Sequence, residues 1–107
     1  MRYVAVRVIC MFDLPVVTDN EKRAYREFRK FLLKNGFEML QFSIYIRTCP
    51  NRSFAKKFYK KIEINSPRKG DIRLLTITEK QFEDMEWIIC DHKEKRELIK
   101  FDDTVVI

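Results

Sequence analysis

The chain has 107 residues, 46% of them hydrophobic and 13% aromatic, with only two glycines and three prolines; this is one globular domain of ordinary size and excludes a low-complexity linker. Its formal net charge of +6 is unevenly spread, since residues 1–78 hold 17 Lys or Arg against 7 Asp or Glu while residues 79–107 hold 5 against 9, so the body attracts polyanions and the tail does not. No run of about 20 apolar residues is available to cross a bilayer and no N-terminal run has the order of a signal peptide, which excludes a membrane partner and makes the cytoplasm the expected location.

Residues 3–12, YVAVRVICMF, are almost continuously apolar and rich in Val, the pattern of a central strand buried on both faces. Asp13 stands at its carboxyl end, followed by Leu14 and Pro15. Thr18 precedes Glu21 by three residues, a capping-box spacing that predicts a helix over about residues 19–35. Ala24, Phe28, Phe31 and Leu32 recur at helical spacing, and Gly36 can close that helix in the left-handed conformation. From Phe37 to Thr48 the chain is extended in character, with Leu40, Phe42, Ile44 and Ile46 on one side and Met39, Gln41, Ser43 and Tyr45 on the other, less apolar side. No Gly or Asn-Gly marks a hairpin there, so the pattern suits one bent strand or two short ones equally.

After Pro50, the spacing of Phe54, Phe58 and Ile62 predicts a second amphipathic helix, closed by Pro67. Residues 71–78, DIRLLTIT, alternate as a third clear strand. Thr78 and Gln81 can cap a short helix in which Phe82, Met85 and Ile89 share a side. The terminal TVVI is a bare apolar run suited to pairing with an exposed strand edge. Strand, helix, extended segment, helix and strand, joined by connections long enough for crossovers, imply an α+β two-layer sandwich of ferredoxin-like arrangement, with both main helices on one face of a mostly antiparallel sheet. The expected unit is a single domain over residues 1–107, with 79–107 as a C-terminal extension.

Cys10, Cys49 and Cys90 are odd in number, lack CxxC spacing and have only His92 as a co-ligand, which argues against structural zinc and against a disulfide framework. Cys10 alternates with Val4, Val6 and Val8 as a small core residue does. The basic body contains Asp13, Asp19, Glu21, Glu27, Glu38, Glu63 and Asp71; of these, Asp13 alone sits at the end of a buried strand. It either forms a turn with Pro15, or accepts helix-start amide hydrogens, or holds a hard divalent cation, which binds through one or two carboxylates together with water and phosphate oxygens. A two-fold dimer would bring two copies of Asp13 to one axis and complete a phosphodiester-cleaving site that one chain lacks.

Lys22, Arg23, Arg26, Arg29, Lys30 and Lys34 form one basic set, and Arg52, Lys56, Lys57, Lys60, Lys61, Arg68 and Lys69 a second. They are either solvated helix faces or a grip on nucleic-acid phosphates, and the charge excess of the body favours the grip. Ser43 and Tyr45 are placed to contact a phosphate or orient a metal-bound water, or else to pack across strands. GxSxG, HExxH, P-loop and GxGxxG motifs are absent.

MFDLP, then EKRAYREFRKFLLKNGFEMLQFSIY, then PRKGDIRLLTITEKQF together resemble the Cas-two family of small CRISPR-associated adaptation proteins, most closely the branch that accompanies the single large RNA-guided DNA nuclease. The resemblance spans roughly residues 3–82. It implies a ferredoxin-like homodimer that sits between two dimers of the CRISPR integrase, the Cas-one protein, and helps hold a short DNA duplex for insertion into the repeat array. It also implies a magnesium-dependent endonuclease, with manganese as a substitute ion and RNA or DNA as substrate. Asp13 matches the family's strand-end metal ligand, Phe12 the aromatic before it, and FSIY, containing Ser43 and Tyr45, the serine and aromatic of its middle strand. An integrase-independent, toxin-like ribonuclease is the alternative.

Overall fold

The computed structural model describes residues 5–91. The run of β-branched residues after the N-terminus forms β1 (Val6–Asp13), one of the two inner strands of a four-stranded sheet whose remaining members are β2 (Glu38–Gln41), β3 (Ile44–Cys49) and β4 (Asp71–Thr78). Their order is β2-β3-β1-β4, and all neighbours are antiparallel. Two helices, α1 (Asp19–Lys34) and α2 (Arg52–Ile64), connect β1 to β2 and β3 to β4. This split pair of crossovers is the ferredoxin-like arrangement expected from the sequence.

One face of the sheet carries both helices. Val6, Val8, Cys10 and Phe12 of β1 share a core with Phe28 and Leu32 of α1 and with Ala55, Phe58 and Ile62 of α2. Alternation of side chains along a strand sends Arg7, Ile9 and Met11 to the opposite face, where Ile9 and Ile46 pack under Phe82 of a short helix α3 (Glu79–Glu83). That second face is only half covered. Met11, Leu40, Ile44 and Ile77 border its small core, while Leu75 and Met85 stay about half exposed at 48% and 47%.

The helix starts follow the local code. Thr18 and Glu21 form a complete capping box on α1, Thr78 and Gln81 another on α3, and Asn51 caps α2 by accepting from the Phe54 amide. Gly36 has φ +85 and carries the chain out of α1. Three sequence readings are settled or changed by the structure. First, of the two forms left open for the 37–48 segment, it takes the two short strands, because Ser43 adopts φ 64 and makes the turn that no Gly or Asn announces. Second, the side of that segment read as less apolar is, in β3, the side that meets the helices: Tyr45 is 1% exposed inside the main core, whereas Phe42 is 87% exposed at the turn. Third, α3 ends at Glu83, leaving Met85 and Ile89 outside it. His92 and the TVVI run lie outside the described residues, as do Tyr3 and Val4. No helix among the described residues is long and apolar enough to cross a membrane.

Candidate metal and nucleic-acid site

Asp13 is the last residue of β1 and is exposed at the sheet end. The residue immediately before it is anchored in the core. Phe12 is buried, stacks on Tyr45 with ring centroids 5.6 Å apart, and meets Phe28 edge-on at 5.2 Å. Its amide donates to the Ser43 carbonyl at 3.0 Å, so the β2–β3 turn is fastened beside the strand end. The Tyr45 hydroxyl accepts from Arg29 Nε at 2.7 Å, tying α1 to β3 through the core. Phe12, Ser43 and Tyr45 thus converge on the backbone that carries Asp13, with Phe12 and Tyr45 acting as packing anchors.

The register of β1 against β4 sets Asp13 directly opposite Asp71. By parity along the two strands both belong to the face that α1 and α2 leave open. Like charges directly opposed in a sheet repel, and a divalent cation with water and phosphate oxygens is the partner that suits such a pair. The donor set therefore fits magnesium. Among the described residues no group of three or more His, Cys, Asp and Glu is arranged to hold a metal, so this exposed pair is the most that the described residues of one chain bring to such an ion. Asp71 was not singled out in the sequence, because it takes a strand register to put it beside Asp13. Close backbone contact also holds the pair in place: Gly70, at φ +99, lies so near that a Cβ there would meet the Asp13 carbonyl oxygen at 2.6 Å.

The cations line up on the two helices. Arg23, Arg26, Arg29 and Lys30 on α1 and Lys56, Lys57, Lys60 and Lys61 on α2 are all exposed. Some are partly engaged within the chain. Arg29 is bonded to Tyr45, Lys57 Nζ lies 5.3 Å from the centroid of the Phe54 ring, and Lys61 reaches Asn35 Oδ1 at 3.3 Å. Arg23, Arg26, Lys30, Lys56 and Lys60 form no ion pair among the described residues. Their charge is available to phosphates.

Two arginines of the sheet serve the fold. Arg7 is buried, bonds both carboxylate oxygens of Glu79 and lies 3.9 Å over the Phe82 ring. Arg47 lies 4.3 Å over Phe58 and donates from Nε to the Asn35 carbonyl at 2.9 Å, holding the end of α1. Burial pushes the Cys10 thiol up to about 12, so it stays protonated and takes no part as nucleophile or ligand. The Glu21 carboxyl is held below its ordinary value of 4.5, first by the backbone amide of Thr18 and also by that of Val17 and by the Lys69 charge.

The family profile described as CRISPR associated protein Cas2 matches residues 6–85. A protein of Ligilactobacillus salivarius is 44% identical over 84 residues, covering 78% of this chain and 83% of its own length. One of Streptococcus mutans is 51% identical over 77 residues, covering 72% and 71%, and one of Treponema denticola is 41% identical over 102 residues, covering 95% and 99%. All three are named CRISPR-associated endoribonuclease Cas2.

Proposed function

This chain belongs to the CRISPR-associated Cas2 family, and from that premise we propose that it is a homodimeric, duplex-binding protein of CRISPR adaptation with a magnesium-dependent endonuclease centre at Asp13. The observation that carries this reading is the place of Asp13: an exposed carboxylate at the tip of the central strand, on the sheet face that the two main helices leave uncovered. Two chains meeting through that face bring their Asp13 carboxylates toward one axis. The half-covered apolar surface of Met11, Ile44, Leu75 and Ile77 supplies the area for the meeting.

In this reading Asp13 holds the ion with Asp71 beside it, and Phe12 and Tyr45 keep the strand tip from shifting. A bound magnesium, or manganese in its place, supplies polarisation of the phosphate and a more acidic water. Arg23, Arg26, Lys30, Lys56 and Lys60 hold the phosphates of the duplex, and the same dimer bridges two dimers of the CRISPR integrase. The names of the relatives favour RNA as a cleaved substrate; bridging requires only that DNA be bound.

The decisive measurement is cleavage of RNA and of duplex DNA with added magnesium or manganese, by the native protein and by Asp13→Asn, alongside sedimentation to follow the dimer. We expect cleavage to vanish in the variant while the dimer survives. Persistent cleavage would remove Asp13 from the chemistry. For the bridging role, the protein is mixed with its integrase and capture of a short duplex is measured. Capture unchanged by charge reversal at Arg23, Arg26, Lys56 and Lys60 would show that the grip lies elsewhere.

A further inference from the structure

A groove of about 470 Å³ opens beside the strand tip, on the side of the sheet opposite the carboxylate pair. Leu14 and Pro15, which directly follow Asp13, form one wall; the first two turns of α1 form the second, and the loop Pro67–Lys69 the third. Its size is that of a small-molecule site, for which roughly 300–1,000 Å³ is usual, and is far more than an inorganic anion needs. The walls are chemically mixed. Leu14, Pro15 and Pro67 are apolar, and the ring of Tyr25 is steadied by edge-on contact with Phe12 at 6.0 Å.

Two cations stand at the mouth. Arg68 has no ion pair among the described residues, and Lys69, 78% exposed, has its Nζ 4.0 Å from Glu21 Oε2. The amides at the start of α1 are not offered to an anion. Glu21 Oε1 accepts from both the Val17 and Thr18 amides at 3.0 Å, and the Glu21 amide donates to Thr18 Oγ1 at 3.1 Å. This leaves Glu21 Oε2, with only the distant lysine, as a carboxylate acceptor inside the groove. The groove thus combines a flat ring with prolines, one fixed acceptor, and a pair of cations at the rim. Those are the elements that recognise an unpaired nucleotide: stacking on the base, a hydrogen bond to its edge, and charge for its phosphate.

We propose that this groove receives one unpaired nucleotide of a bound strand, its base against Tyr25 and Pro15, its exocyclic amine donating to Glu21 Oε2, and its phosphate between Arg68 and Lys69. The proposal rests on the nucleic-acid reading above and adds to it a base preference. Adenine presents an exocyclic amine where uracil presents a carbonyl oxygen, which a carboxylate repels, so uracil can donate only from its ring N3–H, between two carbonyls. The groove also adjoins the Asp13–Asp71 pair in sequence, since Leu14 directly follows Asp13 and Lys69 stands two residues before Asp71.

The test is fluorescence anisotropy in the non-cleaving Asp13→Asn background, with a labelled RNA duplex carrying a single bulged adenosine, the same duplex with a bulged uridine, and the fully paired duplex. The bulged adenosine should bind tighter than the bulged uridine by roughly tenfold, the discrimination expected of one charge-assisted hydrogen bond. Glu21→Gln keeps the capping box, because Gln serves in it as well as Glu, but turns an amide donor into the groove. It should erase or reverse the adenosine preference without unfolding the protein. Arg68→Ala with Lys69→Ala should weaken both bulged duplexes more than the paired one. Equal binding of the two bulges, or a preference untouched by Glu21→Gln, overturns the groove while leaving duplex binding standing. Failure of the native chain to bind any of the three overturns the nucleic-acid reading itself. Free adenosine monophosphate displacing the bulged duplex at equal concentration overturns the strand assignment and makes this a mononucleotide site.

Discussion

Gly70 shows how a single missing side chain shapes the site. Its φ of +99 lies where side chains are rarely tolerated, and an added Cβ would press on the Asp13 carbonyl and on Leu14 Cδ2. Gly70→Ala is expected to cost about 2 kcal/mol or more in thermal or urea denaturation and to reduce metal-dependent cleavage more than duplex binding, because the strain falls on the strand tip. Glu21 contributes to the pH dependence of stability in acid. Its folded carboxyl lies below the ordinary value of 4.5, so its contribution is complete above that value and fades as pH falls through the lowered one. Urea denaturation across this acid range should show the native protein losing stability faster than Glu21→Gln, whose side chain does not titrate. The capping partnership of Thr18 with Glu21 was legible as spacing. The pairing of Asp13 with Asp71 was not, because those residues are brought together by a strand register across a long stretch of chain.

At the scale of elements, periodicity worked wherever one apolar face had a partner to bury it. The α1 helix and β4 were readable because their spacing coincides with the faces they bury, Phe28 and Leu32 in one and Ile72 and Leu74 in the other. The β2–β3 turn could not be told from a bend because Ser43 takes a left-handed conformation that its side chain does not advertise, and pairing of the two strands outweighs that local cost. The α3 helix was read too long for the converse reason. Met85 and Ile89 have helical spacing with Phe82, but at 47% and 79% exposure they find no surface among the described residues, and short helices persist mainly through packing. What holds α3 is Phe82, 2% exposed over Ile9 and Ile46, with Arg7 against its ring. Phe82→Ala should destabilise the protein by about 3 kcal/mol in chemical denaturation.

For the molecule as a whole, the two faces of the sheet divide the work. One is closed by α1 and α2, whose outer surfaces hold the unpaired cations; the other stays half open and holds the carboxylates. Affinity for duplex DNA should therefore fall steeply as salt is raised, with a log–log slope of about −0.9 for each phosphate neutralised. Reversing Arg23, Arg26, Lys56 and Lys60 together should flatten that slope and weaken binding by more than about tenfold at physiological salt. The measurement is anisotropy titration across a salt series. An unchanged slope would place the phosphate contacts on another surface.

Local patterns by themselves determined the strands and helices that bury an apolar stripe, the helix caps, the basic character of the body and the place of Asp13 at a strand end, because each depends on residues near one another in the chain. Tertiary structure alone decided that Tyr45 belongs to the core, that Asp71 faces Asp13, and that Glu21, Tyr25 and Arg68 enclose a groove beside them. Those facts depend on how strands register and how a loop folds back upon a helix, and no short stretch of sequence carries the energy that sets them.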